Sequence, residues 1–402
     1  MKWEKASIKD ICLGIYDGPH ATPPLSDTGG IFLGIPNFVN GRLDLNNVRY
    51  ISEKDLPKWT KRVTPKENDI VFSYEATLNL YAIIPEGFYG CLGRRMGLLR
   101  VDNSKVFYKF LYYYFFSERW QRVIKENTVL GSTVDRLPLI KFPDFPVFLP
   151  SLQTQYKIAS ILSAYDDLIE NNQKHIKLVE EAAQRLYKEW FVDLRFPGHE
   201  GVKVVDGVPE GWSRTRLDEV IEFNPKVSLT KERIKEFVPM SALSNTAMIL
   251  DTNEITYTQS NSGSKFKNDD TIMARITPCL ENGKIAFVQE LKSEEGAVGS
   301  TEYIVLRSRL LCPSMVYLLS RMQDFRKYAI NNMSGSDGRQ RVKVERLMEY
   351  EYLKPTNDLV CEFSSKVTPM FKNIKHLSKL NAILREARDR LLPKLMSGEI
   401  EV

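Results

Sequence analysis

A chain of 402 residues, 43% hydrophobic and 27% charged, has the make-up of an ordinary globular protein with room for two or three cores. Its net charge of +5 suits a nucleic-acid partner without pointing to one alone. Five scattered cysteines without a CxxC pair (Cys12, Cys91, Cys279, Cys312, Cys361) argue against a disulfide frame or a zinc site. With no apolar signal core at the N-terminus and no membrane-length apolar run, a cytoplasmic protein free of membrane is expected.

Residues 1–150 read as a mixed domain. Short apolar runs at Ile31, Ile70, Tyr81 and Met96 are bounded by Gly, Pro, Asn or Asp, as strands are. Val106 to Glu126 reads instead as an aromatic helix, with Phe107, Leu111, Tyr114, Phe115, Trp120 and Ile124 in its core face.

Residues 151–194 predict a long helix. Gln155 to Phe191 contains no Gly or Pro, and its apolar residues step by three and four. In heptads, Ile158, Tyr165, Asn172, Val179 and Leu186 take one seam position and Ile161, Leu168, His175, Ala182 and Glu189 the other. Leu162, Ile169, Ile176, Ala183 and Trp190 widen the face. At ~1.5 Å per residue such a helix runs on the order of 50 Å, too long for one small core, so it needs a partner of similar length.

After a Gly/Pro-rich linker over 195–210 the pattern restarts. In the second domain, 211–356, Gly211-Trp212 echoes Lys2-Trp3, and Asp269-Asp270 answers Asn68-Asp69. Ser314 to Phe325 likewise answers the aromatic helix. Residues 357–402 predict the partner helix, its stripe running through Phe363, Val367, Ile374, Leu384, Leu391 and Leu395 and broken at Asn381, as the first is at Asn172. Self-similarity at a fixed offset marks a duplicated unit. The expected fold class is α+β: two mixed globular domains separated by two long antiparallel helices, related by a pseudo-twofold internal repeat.

No phosphate loop, HExxH, GxSxG or dinucleotide fingerprint is present, and four histidines leave little for metal or acid–base chemistry. No catalytic or metal-binding residue is therefore assigned. On the residues alone a duplicated binding module fits better than an enzyme; a coiled-coil scaffold joining protein-binding modules and a carboxylate nuclease whose motif goes unrecognised are the competing readings.

Leu149-Pro-Ser-Leu-Gln-Thr-Gln155, Asp166-Asp-Leu-Ile169-Glu-Asn-Asn and Leu186-Tyr-Lys-Glu-Trp-Phe191 resemble the central region of the specificity subunit of type I restriction-modification enzymes. Arg390-Leu-Leu-Pro-Lys-Leu-Met-Ser-Gly398 resembles that family's C-terminal signature, and Asp17-Gly-Pro-His20 with Gly131-Ser-Thr133 its target-recognition domain. The second half departs from the pattern, with no counterpart of Asp17-Gly-Pro-His20 and Ser336-Asp337 in place of Ser-Thr.

The resemblance implies two target-recognition domains on duplex DNA, each reading half of a split site whose spacer the helix pair sets. It also implies a chain that needs no cofactor of its own. Catalysis would lie with two modification subunits, which use S-adenosylmethionine to methylate adenine N6, and with restriction subunits, which use ATP and Mg2+. Contacts to DNA are expected from polar loops. In the first domain these are His20, Thr22, Arg42 and Tyr74, with Arg94, Arg95, Ser132 and Thr133. The second offers Lys226, Lys265, Arg275 and Lys284, then Ser300 and Thr301, and last Ser336, Arg339 and Arg341 beside Gly335 and Gly338. Tyr187, Trp190, Phe191 and Leu395 are expected on the helix faces that grip the modification subunits.

Overall fold

The computed structural model describes residues 3–131, 134–336 and 338–402. The chain divides into two compact units, one of residues 1–168 with 384–402, the other of 169–383. Two helices, Leu152–Phe191 and Asn357–Ser397, therefore contribute one part to each unit. The fold class read from sequence holds, and the boundaries of the two units pass through both helices.

The first unit is built on a four-stranded antiparallel sheet, in the order Cys12–Asp17, Met96–Val101, Ile70–Ser73, Tyr81–Ile83. A second sheet pairs Gly30–Leu33 antiparallel with Arg49–Ile51 and parallel with Gly90–Leu92. Its aromatic segment is two helices, not one: Tyr108–Tyr114 ends before Ser117, whose hydroxyl accepts a bond from Trp120 N and caps Glu118–Asn127. The break turns Trp120 into the core, where its indole N–H donates to Tyr81 Oη at 2.7 Å.

The second unit repeats the plan. Ile221–Phe223, Tyr303–Ser308, Thr271–Ala274 and Ile285–Phe287 form a sheet of the same order, and Lys235–Val238 again pairs parallel with Ala297–Gly299. The aspartates that the sequence aligned play one part in both. Asp69 holds Arg100 with two bonds at 3.0 and 2.7 Å, and Asp270 holds Arg307 with two at 2.7 Å. A bidentate pair reaching from the strand entry to its neighbour fixes register in each sheet.

Within each unit the two helix segments run antiparallel. In the first, Ile158 and Leu162 share a core with Leu395 and Met396. In the second, Asn172 Nδ2 donates to Asn381 Oδ1 at 2.9 Å, so the residues that break the two stripes satisfy each other, while Trp190 and Phe191 pack on Phe363. One seam needs correction. His175, Ala182 and Leu168 are exposed, and the buried line runs through Leu162, Ile169, Ile176, Ala183 and Trp190. The helix packs on a globular half as well as on its partner, which widens the buried face and shifts its centre by one residue.

Two carboxylates on the first long helix are buried by that docking. Asp166 accepts bonds from Tyr113 Oη at 2.6 Å and from Arg388 at 2.5 Å. Glu180 accepts from Tyr317 Oη at 2.5 Å and from Met248 N at 3.0 Å, and burial raises its pKa. Another acid, Glu290, has one carboxyl oxygen buried without a partner, and burial pushes its pKa up to about 7 although Lys375 acts against this.

Because the folded state then holds a proton that the unfolded chain releases near 4.5, the stability from Glu290 is full below that pH. It is lost as pH rises to about 7, by on the order of 3 kcal/mol. Urea unfolding of the wild type should show this decline, and Glu290→Gln should flatten it. An equal slope in both proteins would contradict the assignment.

Candidate nucleic-acid interface

In the first unit the loops at one end of the four-stranded sheet are stitched together by their backbones. Gly18 N donates to Met96 O at 2.8 Å, Tyr74 N to Arg95 O at 3.1 Å, Ala76 N to Asp135 O at 3.0 Å and Leu137 N to Tyr74 O at 2.8 Å. His20, Tyr74, Arg94 and Arg95 are thereby brought to one place. Asp17 sits at its centre, with His20 Nε2 at 2.9 Å and Arg62 Nη1 at 2.5 Å, while Arg95 donates to Glu75 at 2.9 Å. Ala76 and Arg95 hold left-handed backbone at φ +68° and +71°, strain that persists only where surroundings impose it and that gathers at functional loops.

Tyr74 is 4% exposed and its hydroxyl has no hydrogen-bond partner among the described residues. Leaving such a group unpaired costs about 1–3 kcal/mol. Its place is inside the loop cluster rather than on the surface. Arg94 and Thr22 are exposed; Arg42 turns to the long helix, donating to Asp166 O at 2.9 Å, and so serves docking instead of a DNA surface. Ser132 and Thr133 lie outside the described residues.

The corresponding end of the second unit's sheet opens into a groove of ≈ 630 Å³. Lys226, Lys265, Arg275 and Thr301 line it as a group, together with Lys231, Asn224 and Asn261, which the sequence did not single out. Among the described residues that line it, four are cations and none is a carboxylate. Inside, Arg275 Nε, Asn261 Oδ1 and Tyr303 Oη are each buried without a hydrogen-bond partner among the described residues. One orphaned polar atom is tolerable; three facing one groove mark a place prepared for a polar ligand.

Arg341 sits behind this wall, its guanidinium gripping Glu302 with bonds at 2.9 and 2.7 Å and holding that carboxyl below its usual pKa. Arg339 and Ser336 are exposed on the adjoining turn, and Ser300 Oγ accepts Glu302 N at 3.2 Å. Lys284 is half-buried, its ammonium donating to Met240 O at 2.7 Å. The four residues expected on partner-facing surfaces are also corrected. Tyr187, Trp190, Phe191 and Leu395 are 1–7% exposed and belong to the cores, because each faces the globular half or the opposite helix. Large apolar side chains left open on the helices include Tyr156, Leu168, Leu178 and Ile383.

Among the described residues no group of His, Cys, Asp or Glu side chains is placed to hold a metal ion, and no helix is long and apolar enough to cross a membrane. The duplicated α+β unit carries polar loops at the same sheet end in both copies.

Residues 1–181 match the family model of the type I restriction modification DNA specificity domain. The chain is 26% identical over 372 residues to the MjaIX specificity subunit of Methanocaldococcus jannaschii, covering 88% of this chain and 82% of that one. It is 23% identical to the HindI specificity subunit of Haemophilus influenzae, covering 99% of both. Its fold matches the S subunit of a type I system from M. genitalium with a TM-score of 0.58 at 16% identity, over 98% of this chain and 96% of that one. Over nearly its whole length the chain is therefore similar to specificity subunits of type I restriction-modification enzymes, the family that its sequence resembles.

Proposed function

We propose that this chain reads a bipartite duplex DNA site, one half-site per globular half. The observation that carries the reading is the groove of the second unit, where Lys226, Lys231, Lys265 and Arg275 meet with no carboxylate in the lining. Cations without counter-charge attract phosphates, and the orphaned polar atoms between them suit base edges. The loop cluster around Tyr74, Arg94 and Arg95 is the corresponding interface of the first unit.

In this reading the helix pair is a spacer. Readers on successive turns of duplex must be held ~34 Å apart or at a multiple of it, which a rigid element can enforce. Two modification subunits methylate adenine N6 with S-adenosylmethionine, and restriction subunits use ATP and Mg2+, so this chain directs chemistry without performing it. The assembly works in the cytoplasm. Leu168, Leu178 and Ile383 are the docking candidates for the modification subunits, replacing the four core residues.

The test is methylation mapping by single-molecule sequencing of cells that express the chain with its modification subunit, against that subunit alone. A motif of two short blocks separated by a fixed gap, appearing only with this chain, is the expected result. Methylation that is absent, or indifferent to the chain, would return the coiled-coil scaffold to the front.

A further inference from the structure

We propose that Arg275 is the specificity-determining residue of the second globular half, and that it reads a guanine. The inference rests on the DNA-reading function above and assigns roles within it. Arg275 directly follows the strand Thr271–Ala274, and its backbone is fixed on both sides. Its N–H donates to Glu302 O at 2.9 Å, and its carbonyl accepts Val342 N at 2.9 Å. The side chain lines the groove, yet its buried Nε has no hydrogen-bond partner among the described residues.

Glu302 feels the Arg275 charge but accepts its side-chain hydrogen bonds from Arg341. A planar guanidinium on a rigid backbone, desolvated at Nε and with no carboxylate hydrogen-bonded to it among the described residues, has the chemistry that pairs bidentately with O6 and N7 of guanine. Lys226, Lys231 and Lys265 are point charges with mobile stems and suit phosphates, which carry no sequence information.

The internal repeat supports the assignment independently. Tyr74 directly follows the equivalent strand, Ile70–Ser73, and makes the same two backbone bonds, to Arg95 O and from Leu137 N. Its hydroxyl, too, is buried and unpartnered. One scaffold position thus presents an unsatisfied polar head in both halves, an arginine in one and a tyrosine in the other. Two readers of different bases require such an arrangement.

The experiment maps the N6-methyladenine motif of the full chain, co-expressed with its modification subunit, for wild type, Arg275→Lys, Arg275→Gln, Lys226→Ala and Lys265→Ala. The wild type should give one block with a G·C pair that both Arg275 variants relax, by about 5- to 100-fold in relative occupancy, while the other block stays intact. The lysine variants should lower occupancy at every site alike and leave the motif unchanged. Arg275→Lys is decisive because it keeps the charge and removes the fork.

If Arg275→Lys retains full stringency, or the relaxed position is not a G·C pair, the assignment is overturned while the DNA-reading function stands. If the wild type yields no two-block motif, that function falls and the assignment with it.

Discussion

Replacing Arg321 by alanine is expected to destabilise the second unit by roughly 3–5 kcal/mol, as removal of one partner from a buried ionic network does. Arg321 ends the helix Pro313–Arg321, and its guanidinium gathers three separate pieces of chain. It donates to Asn245 O at 3.1 Å and Ala247 O at 2.8 Å in one loop, to Gly283 O and Ile285 O at 2.8 Å in another, and to Tyr317 Oη at 2.8 Å. Tyr317 in turn donates to the buried Glu180 of the long helix, which the Arg321 charge also steadies.

Deleting the guanidinium therefore leaves four carbonyls short of a donor and a buried carboxyl short of its cation. Arg321→Lys should recover little, since an ammonium cannot span the two loops as a planar fork does. Equilibrium urea unfolding of the full chain reads the loss, and a change below about 1 kcal/mol would show that water replaces the guanidinium at no cost.

The first unit solves the same problem with other residues. Tyr113, from the corresponding helix, donates to Asp166, but there the arginine is Arg388 of the second long helix. Neither carboxylate was legible as a core residue. A helical Asp or Glu among polar neighbours reads as solvated, and only partners many positions away bury it: Tyr113 lies 53 residues from Asp166 and Tyr317 lies 137 from Glu180.

The duplication was legible for the converse reason. Asp69 and Asp270 each serve a local strand entry, and their arginines recur at matching positions on the paired strand, so the constraint survives in sequence order. The seam through His175 was misplaced because a heptad template assumes a single partner, whereas this helix buries itself against two.

Of the candidate interface, cations next to glycine and turn residues were readable, and the groove itself was not. Lys231, Asn224 and Asn261 reach it from loops without periodicity, and nothing in their spacing announces that they converge. Tyr303 begins a buried strand and reads as core; its orphaned hydroxyl is visible only when its neighbours are in place. Lys284 and Arg42 read as DNA contacts because they are basic residues in polar stretches, and each also donates to a backbone carbonyl of the protein, which their spacing does not announce.

The triple variant Lys226→Ala, Lys231→Ala, Lys265→Ala is expected to weaken DNA binding on the order of 10²–10³-fold at 0.1 M salt without changing the sequence preferred. If each ammonium neutralises one phosphate, the slope of log K against log salt should become shallower by about 2.7. Lys226 and Lys231 are exposed and Lys265 is half-buried on the groove wall, so the fold should lose little and the melting temperature should stay within a few degrees. Titration of the assembled complex on its mapped site, over a range of salt concentrations, separates this effect from the loss of base readout. An Arg275 variant lowers the preference for the correct site at every salt concentration, whereas the lysine variant lowers specific and non-specific binding together. A slope that remains that of the wild type would mean the backbone contacts lie elsewhere, and the groove would then have to engage DNA through base edges alone.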